Sequence, residues 1–321
     1  MWIDTTLGYL SGLRNNRGRR EGIRVFCFHG VVETIRDPRL ERNLLPLSNF
    51  KSLIQFLHQF QTLSLSEMID EMSCPKRFRK QAVAIIFDDG YANNLLAAEI
   101  LKTARLPWTL FVSTGAVESG NMIWATDLSL LILHGRADKV KALGKIWGLN
   151  SREERESTFQ AIRYPMKAMS STLRQQTMDS IRLQFPMEET QRLLKEFPSL
   201  QMLSWKEISQ LANAGVEIGS YGVNHEIHHE DQPEVIRQWE LEESKIELEK
   251  RLGHPCHFFA FPDGKFNQAS SSEVQKAGYK LGFTTEMGTV KLGLNPYLLP
   301  RLSPPASLRS FVRNFFWISK S

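Results

Sequence analysis

The stretch Val83-Ala84-Ile85-Ile86-Phe87-Asp88-Asp89-Gly90-Tyr91 constrains the fold more than any other. Its unbroken apolar run reads as a strand buried on both faces, the habit of parallel sheets covered by helices. The run ends in two adjacent carboxylates and a glycine, which permits a backbone turn that most residues resist. Like charges at the end of a buried strand are costly unless a cation or a shared proton relieves them. The competing reading is an Asp-Gly turn with both carboxylates solvated.

The rest of the chain repeats this unit. Arg24-Val25-Phe26-Cys27-Phe28 is a strand ending in His29-Gly30, and Trp108-Thr109-Leu110-Phe111-Val112 is another. Further strands are expected near residues 62–65, at 216–219, at 257–261 and at 279–284. Between them lie helical spacings: Phe50, Leu53, Ile54, Leu57 and Phe60 after a cap at Ser48 or Asn49, a helix from Ser66, and Leu96, Ala97, Ile100, Leu101 and Ala104. Ser204 and Glu207 form a capping box, as do Ser270 and Glu273. A long amphipathic helix carrying Leu241, Leu248 and Leu252 ends at Gly253. Residues from about 124 to 200 break the rhythm and read as a helical insertion. Strands alternating with helices imply α/β architecture with a parallel sheet, open or closed into a barrel.

In such folds the site sits at the carboxyl ends of the strands. His29, Asp88-Asp89, His225 with its neighbours, and Asp263 all fall there. Carboxylates and histidines at converging strand ends suit a divalent metal of the Zn, Mn, Co or Ni type, with Asp89 and His225 as ligands and Asp88 as proton acceptor. That chemistry is hydrolysis. A glycosidase pair of Asp88 and Asp263 is the competing enzyme reading. Blander readings are a core histidine at position 29, solvated His228 and His229, and an ordinary turn at Asp263.

Composition narrows the class. With 321 residues, 42% hydrophobic and 23% charged, the chain is an ordinary globular protein, and its net charge of +5 is modest. Arg14, Arg17, Arg19, Arg20 and Arg24 crowd the start, so residues 1–22 read as a basic arm and 23–321 as one domain with its insertion. The arm suits either solvent or an anionic lipid surface, and nothing calls for nucleic acid. No run approaches the ~18 apolar residues of a membrane span, and no secretory h-region follows the early charges. Cys27, Cys74 and Cys256 read as reduced thiols, which points to a cytoplasmic protein, peripheral at the inner membrane face as the variant reading. The aromatic, basic tail 307–321 is expected as a terminal helix on the barrel, with a membrane-surface helix as the alternative.

These motifs resemble those of the polysaccharide deacetylases, the chitooligosaccharide deacetylase homology domain. Phe87-Asp88-Asp89-Gly90-Tyr91 is similar to the family's first motif. The segment from Glu217 to His225 resembles the second, and Phe259-Ala260-Phe261-Pro262-Asp263-Gly264 the third. Phe28-His29-Gly30-Val31 and Leu299-Pro300-Arg301-Leu302 resemble the first strand's end and the closing Leu-Pro-Arg. The resemblance covers roughly residues 24–120 and 203–303, in order. It implies a distorted (β/α) barrel that removes N-acetyl groups from sugars or polysaccharides in cell-envelope glycan metabolism, usually with zinc. It also implies Asp88 as general base, Asp89 and His225 as metal ligands, and Tyr91, Tyr221, Pro262, Asp263 and Arg301 around the substrate. The chain departs from the family where Tyr221 stands in the place of a metal-binding His. Three outcomes follow: a weak two-ligand site, a register shifted to His225 and His229, or a silent barrel that binds glycan without cutting it. The third motif lacks its usual Arg, and no Leu-x-His supplies a general acid, for which His29 is the substitute candidate.

Overall fold

The computed structural model describes residues 22–74, 78 and 81–304. The basic arm through residue 21, most of the basic loop 76–80 and the tail 307–321 lie outside the described residues. The strands are β1 (Arg24–Phe28), β2 (Gly30–Val32), β3 (Leu44–Pro46), β4 (Val83–Phe87), β5 (Thr109–Val112), β6 (Lys139–Ala142), β7 (Lys145–Gly148), β8 (Glu217–Ser220), β9 (Phe258–Ala260), β10 (Leu281–Met287) and β11 (Leu299–Arg301). Seven of them form one parallel sheet in the order β1-β4-β5-β8-β9-β10-β11. Leu302 bridges back to Phe26, so the sheet curls into a near-closed barrel.

Alternation along β4 shows why its sequence is apolar throughout. Val83, Ile85 and Phe87 pack outward among the covering helices, and Ala84 and Ile86 pack inward with Cys27, Phe111 and Phe283. The interior is tight: a side-chain carbon on Gly219 would meet the Phe111 ring at 2.5 Å.

The helices are α1 (Leu47–Leu57), α2 (Leu65–Ser73), α3 (Asn94–Ala104), α4 (Thr114–Ser119), α5 (Trp124–His134), α6 (Arg152–Lys167), α7 (Ser171–Arg182), α8 (Glu189–Glu196), α9 (Trp205–Asn213), α10 (Glu234–Leu252) and α11 (Ser270–Lys276). Several local expectations change. Helix α1 starts after Pro46, whose side chain has no acceptor, so it carries no side-chain cap. Residues 62–65 are not a strand. Thr62 makes a single bridge to Val83, and Ser64 with Glu67 forms a capping box that opens α2 one residue before Ser66. At α11 Asn267, not Ser270, accepts from the first free amides, those of Ala269 and Ser270. The Ser204–Glu207 box at α9 is present as expected.

The insertion contains α5–α8 and also the antiparallel hairpin β6–β7. Its turn puts Leu143 and Gly144 at φ of 54° and 74°, the left-handed pair of a tight hairpin. A leucine in that position hides the turn from a composition-based reading. The insertion has its own apolar core, built on Leu128, Leu131, Phe159, Ile162 and Ile181.

Candidate active site

Strand β4 delivers its two carboxylates to different places. Period-two alternation puts Asp88 on the inner face with Ala84 and Ile86, and its amide still donates to the Phe28 carbonyl at 2.9 Å. The next two residues leave the strand in left-handed conformations, Asp89 at φ 77° and Gly90 at φ 88°. That turn aims Asp89 into a cleft above the barrel mouth, which offers about 120 Å³ to water-sized occupants. Asp89, His225 and Asp263 are three of the five non-glycine residues with positive φ in the described structure, and all three line this cleft. Strain of this kind collects where a side chain must be held in a set direction.

Asp88 lies beneath the cleft, 1% exposed. Arg301 Nη1 donates to both of its oxygens, at 2.8 and 2.7 Å, and the Cys27 thiol donates to Oδ2 at 3.3 Å. Arg301 is anchored by its Nε on the Thr284 carbonyl at 2.6 Å. Burial alone would pull the Arg301 pKa down, but the Asp88 carboxylate outweighs it and holds the guanidinium charged. Burial likewise pushes the Cys27 thiol well up, so it remains a neutral donor. Arg301, expected beside the substrate, is therefore 2% exposed and serves Asp88 instead.

On the cleft wall His225 Nε2 stands 3.6 Å from Asp89 Oδ1, just beyond hydrogen-bond length. Burial opposes the Asp89 charge, yet the His225 ring and the potential of His29 and Arg301 hold its pKa below the ordinary carboxylate value. Tyr221 packs edge-on against His225, ring centres 5.0 Å apart. Burial first, then Asp88 and Asp89, push its phenol well above the usual value, so it is protonated at neutral pH.

The loop that carries His225 is held from two sides. From α10, Glu240 accepts the amides of Val223 at 2.7 Å and Asn224 at 3.1 and 3.0 Å. From the insertion, buried Arg174 pairs with Glu226, and Gln232 bonds both Glu226 and the Ser171 amide. None of these positioning residues has a sequence signal: apart from Gln232 and Glu226, six residues apart, the partners lie 16 to 61 residues from each other.

Of the other expected site residues, His29, Tyr91 and Asp263 line the cleft. Tyr91 bonds Thr126, and Asp263 pairs with Lys167 of α6. His229 does not join them: its Nε2 donates to the Met169 carbonyl at 3.1 Å, which turns it toward the insertion. The shifted register of His225 with His229 is therefore not what the fold assembles. Pro262 is buried and off the cleft lining. Sequence reasoning missed Phe159, Arg163 and Lys167, which recur every fourth residue along α6 and face the cleft.

A firmly held zinc takes three protein donors. Asp89 and His225 supply two, the third position holds a neutral phenol, and no cluster of three His, Cys, Asp or Glu converges among the described residues. The buried Nδ1 of His225 also has no partner, whereas a metal-bound imidazole normally donates through its second nitrogen. The residues present do not complete a metal site.

The barrel carries an aspartate–histidine pair, delivered by β4 and β8, at the strand ends where parallel barrels hold their sites. The family model described as polysaccharide deacetylase matches residues 76–282, and the chain belongs to that family. A Bacillus subtilis (strain 168) protein named as a polysaccharide deacetylase, YxkH, is 26% identical over 111 residues, covering 34% of this chain and 39% of that protein. Among solved structures, the Streptococcus pyogenes deacetylase PplD in complex with acetate is similar at a TM-score of 0.60 and 18% identity, over 92% of this chain and 98% of its own. IcaB from Ammonifex degensii gives 0.59 and 16%, over 93% and 97%. At these identities the structural likeness concerns the fold.

Proposed function

We propose that the chain hydrolyses the N-acetyl group of an N-acetylated sugar or polysaccharide in cell-envelope glycan metabolism. The observation that carries this is the convergence of Asp89 and His225 on one cleft wall, each held in a left-handed backbone conformation. Asp89 and His225 meet the acetamide, and Asp88, paired with Arg301, is the proton acceptor. Access of a cleft water to the buried Asp88 is the condition that role sets. His29, which also lines the cleft, is the group available to protonate the leaving amine. The zinc requirement implied by the family resemblance rests here on two donors, so purified protein should carry well below one equivalent. Location belongs to the same proposal: three free cysteines support a reducing, cytoplasmic setting.

Tyr221 favours a second reading, a glycan-binding barrel without turnover. Acetate release from N-acetylglucosamine oligomers separates the two. The wild type should release acetate and His225→Ala should not. No acetate from the wild type, with or without added zinc, together with retained oligomer binding, establishes the binding module.

A further inference from the structure

The cleft is more basic than removal of a neutral acetyl group requires. Of its two carboxylates, Asp263 is paired with Lys167 and Asp89 faces His225 at 3.6 Å. Arg39 is matched by Asp37, yet its Nη1 is buried without a hydrogen-bond partner. Arg163 lies 5.8 Å over the Phe159 ring with its buried Nε unpartnered, and it has no ion-pair partner among the described residues. Arg42, exposed in the loop before β3, lines the same cleft and has no ion-pair partner among the described residues. Two guanidinium groups are thus gathered at one cleft, and the carboxylate whose charge reaches Arg163, Asp263, is already paired with Lys167, so an anionic ligand would meet two unpaired forks. Burial, and then the charge of Arg42, lowers the Arg163 pKa against the opposing pull of Asp263.

We propose that Arg42 and Arg163 bind an oxyanion, a phosphate or a carboxylate, carried by the N-acetylated sugar itself. The sugar half of this inference rests on the deacetylase reading, while the anion half rests on the arginines alone. Guanidinium forks match both anions through paired, charge-assisted hydrogen bonds. One arginine comes from the loop before β3 and the other from the insertion, so the helical insertion acquires a role in choosing substrate. Lys167, one turn along α6 from Arg163, adds positive potential while staying tied to Asp263.

The test is equilibrium binding by the full chain of N-acetylglucosamine, N-acetylglucosamine 1-phosphate and N-acetylmuramic acid, measured by calorimetry. At least one charged sugar should bind about tenfold or more tightly than the neutral one, since charge-assisted bonds to two arginines are worth that much. The advantage should shrink with added salt and largely vanish in Arg163→Gln and in the exposed-site variant Arg42→Gln. A preference for the phosphate names phosphate as the anion, and a preference for N-acetylmuramic acid names carboxylate. Equal affinities, no binding of any of the three, or a preference that survives in both variants overturns the inference. Binding needs no turnover, so failure of the deacetylase reading and failure of this one are read separately.

Discussion

Glu240 offers a quantitative test of how the His225 loop is held. It is fully buried, and burial first, then the neighbouring Glu226, raise its pKa to about 8 from an ordinary 4.5, against the opposing pull of the Val223 and Asn224 amides. The sign follows from proton binding. Between pH 4.5 and 8 the folded state holds a proton that the unfolded chain has lost, so stability falls as pH rises through that window and is level above it. At 1.36 kcal/mol per pKa unit the loss amounts to about 4–5 kcal/mol. Glu240→Gln removes the titration while keeping an oxygen for the loop amides. Urea denaturation at pH 5 and pH 9 should therefore find the variant no more stable than wild type at pH 5 and more stable at pH 9. Differences between the two proteins cancel the other titrating groups. Parallel stability profiles would refute the account, because they would mean Glu240 titrates alike folded and unfolded.

Other perturbations probe the surrounding parts. Arg301→Met strands the Asp88 carboxylate in the barrel and should destabilise the protein by about 3–5 kcal/mol, with Asp88→Leu added to it recovering most of the loss in thermal melts. Arg174→Met releases Glu226 and should speed hydrogen exchange across 224–232 while leaving exchange in β4 unchanged. Tyr221→His supplies a third donor beside Asp89 and His225, so dialysed protein should retain close to one equivalent of zinc where the wild type retains far less. Equal zinc content in the two proteins would show that Tyr221 is not what limits metal binding.

Much of this architecture is legible in the chain because local signals agree with the tertiary result. The apolar runs at Arg24–Phe28 and Val83–Phe87 become adjacent parallel strands, and the polar residues that follow each one meet at a single barrel mouth. What the sequence hides is contact across distance. Asp88 and Asp89 are neighbours in the chain, but alternation buries one with Arg301 and a left-handed turn brings the other to the cleft. His229 has suitable ligand spacing from His225, yet a carbonyl of the insertion takes its nitrogen. The hairpin inside the insertion escapes notice because Leu143, not glycine or asparagine, opens its turn. Arg42 and Arg163 carry no motif, and only folding brings the loop before β3 and helix α6 to one cleft.

The central claim, that this strand-end site removes acetyl groups with Asp88 as proton acceptor, is tested most directly by acetate release from an N-acetylated sugar by wild type and Asp88→Asn, with sugar binding measured on the same samples. The account predicts acetate from the wild type and retained binding without release in Asp88→Asn. Release by the variant at the wild-type rate would contradict it.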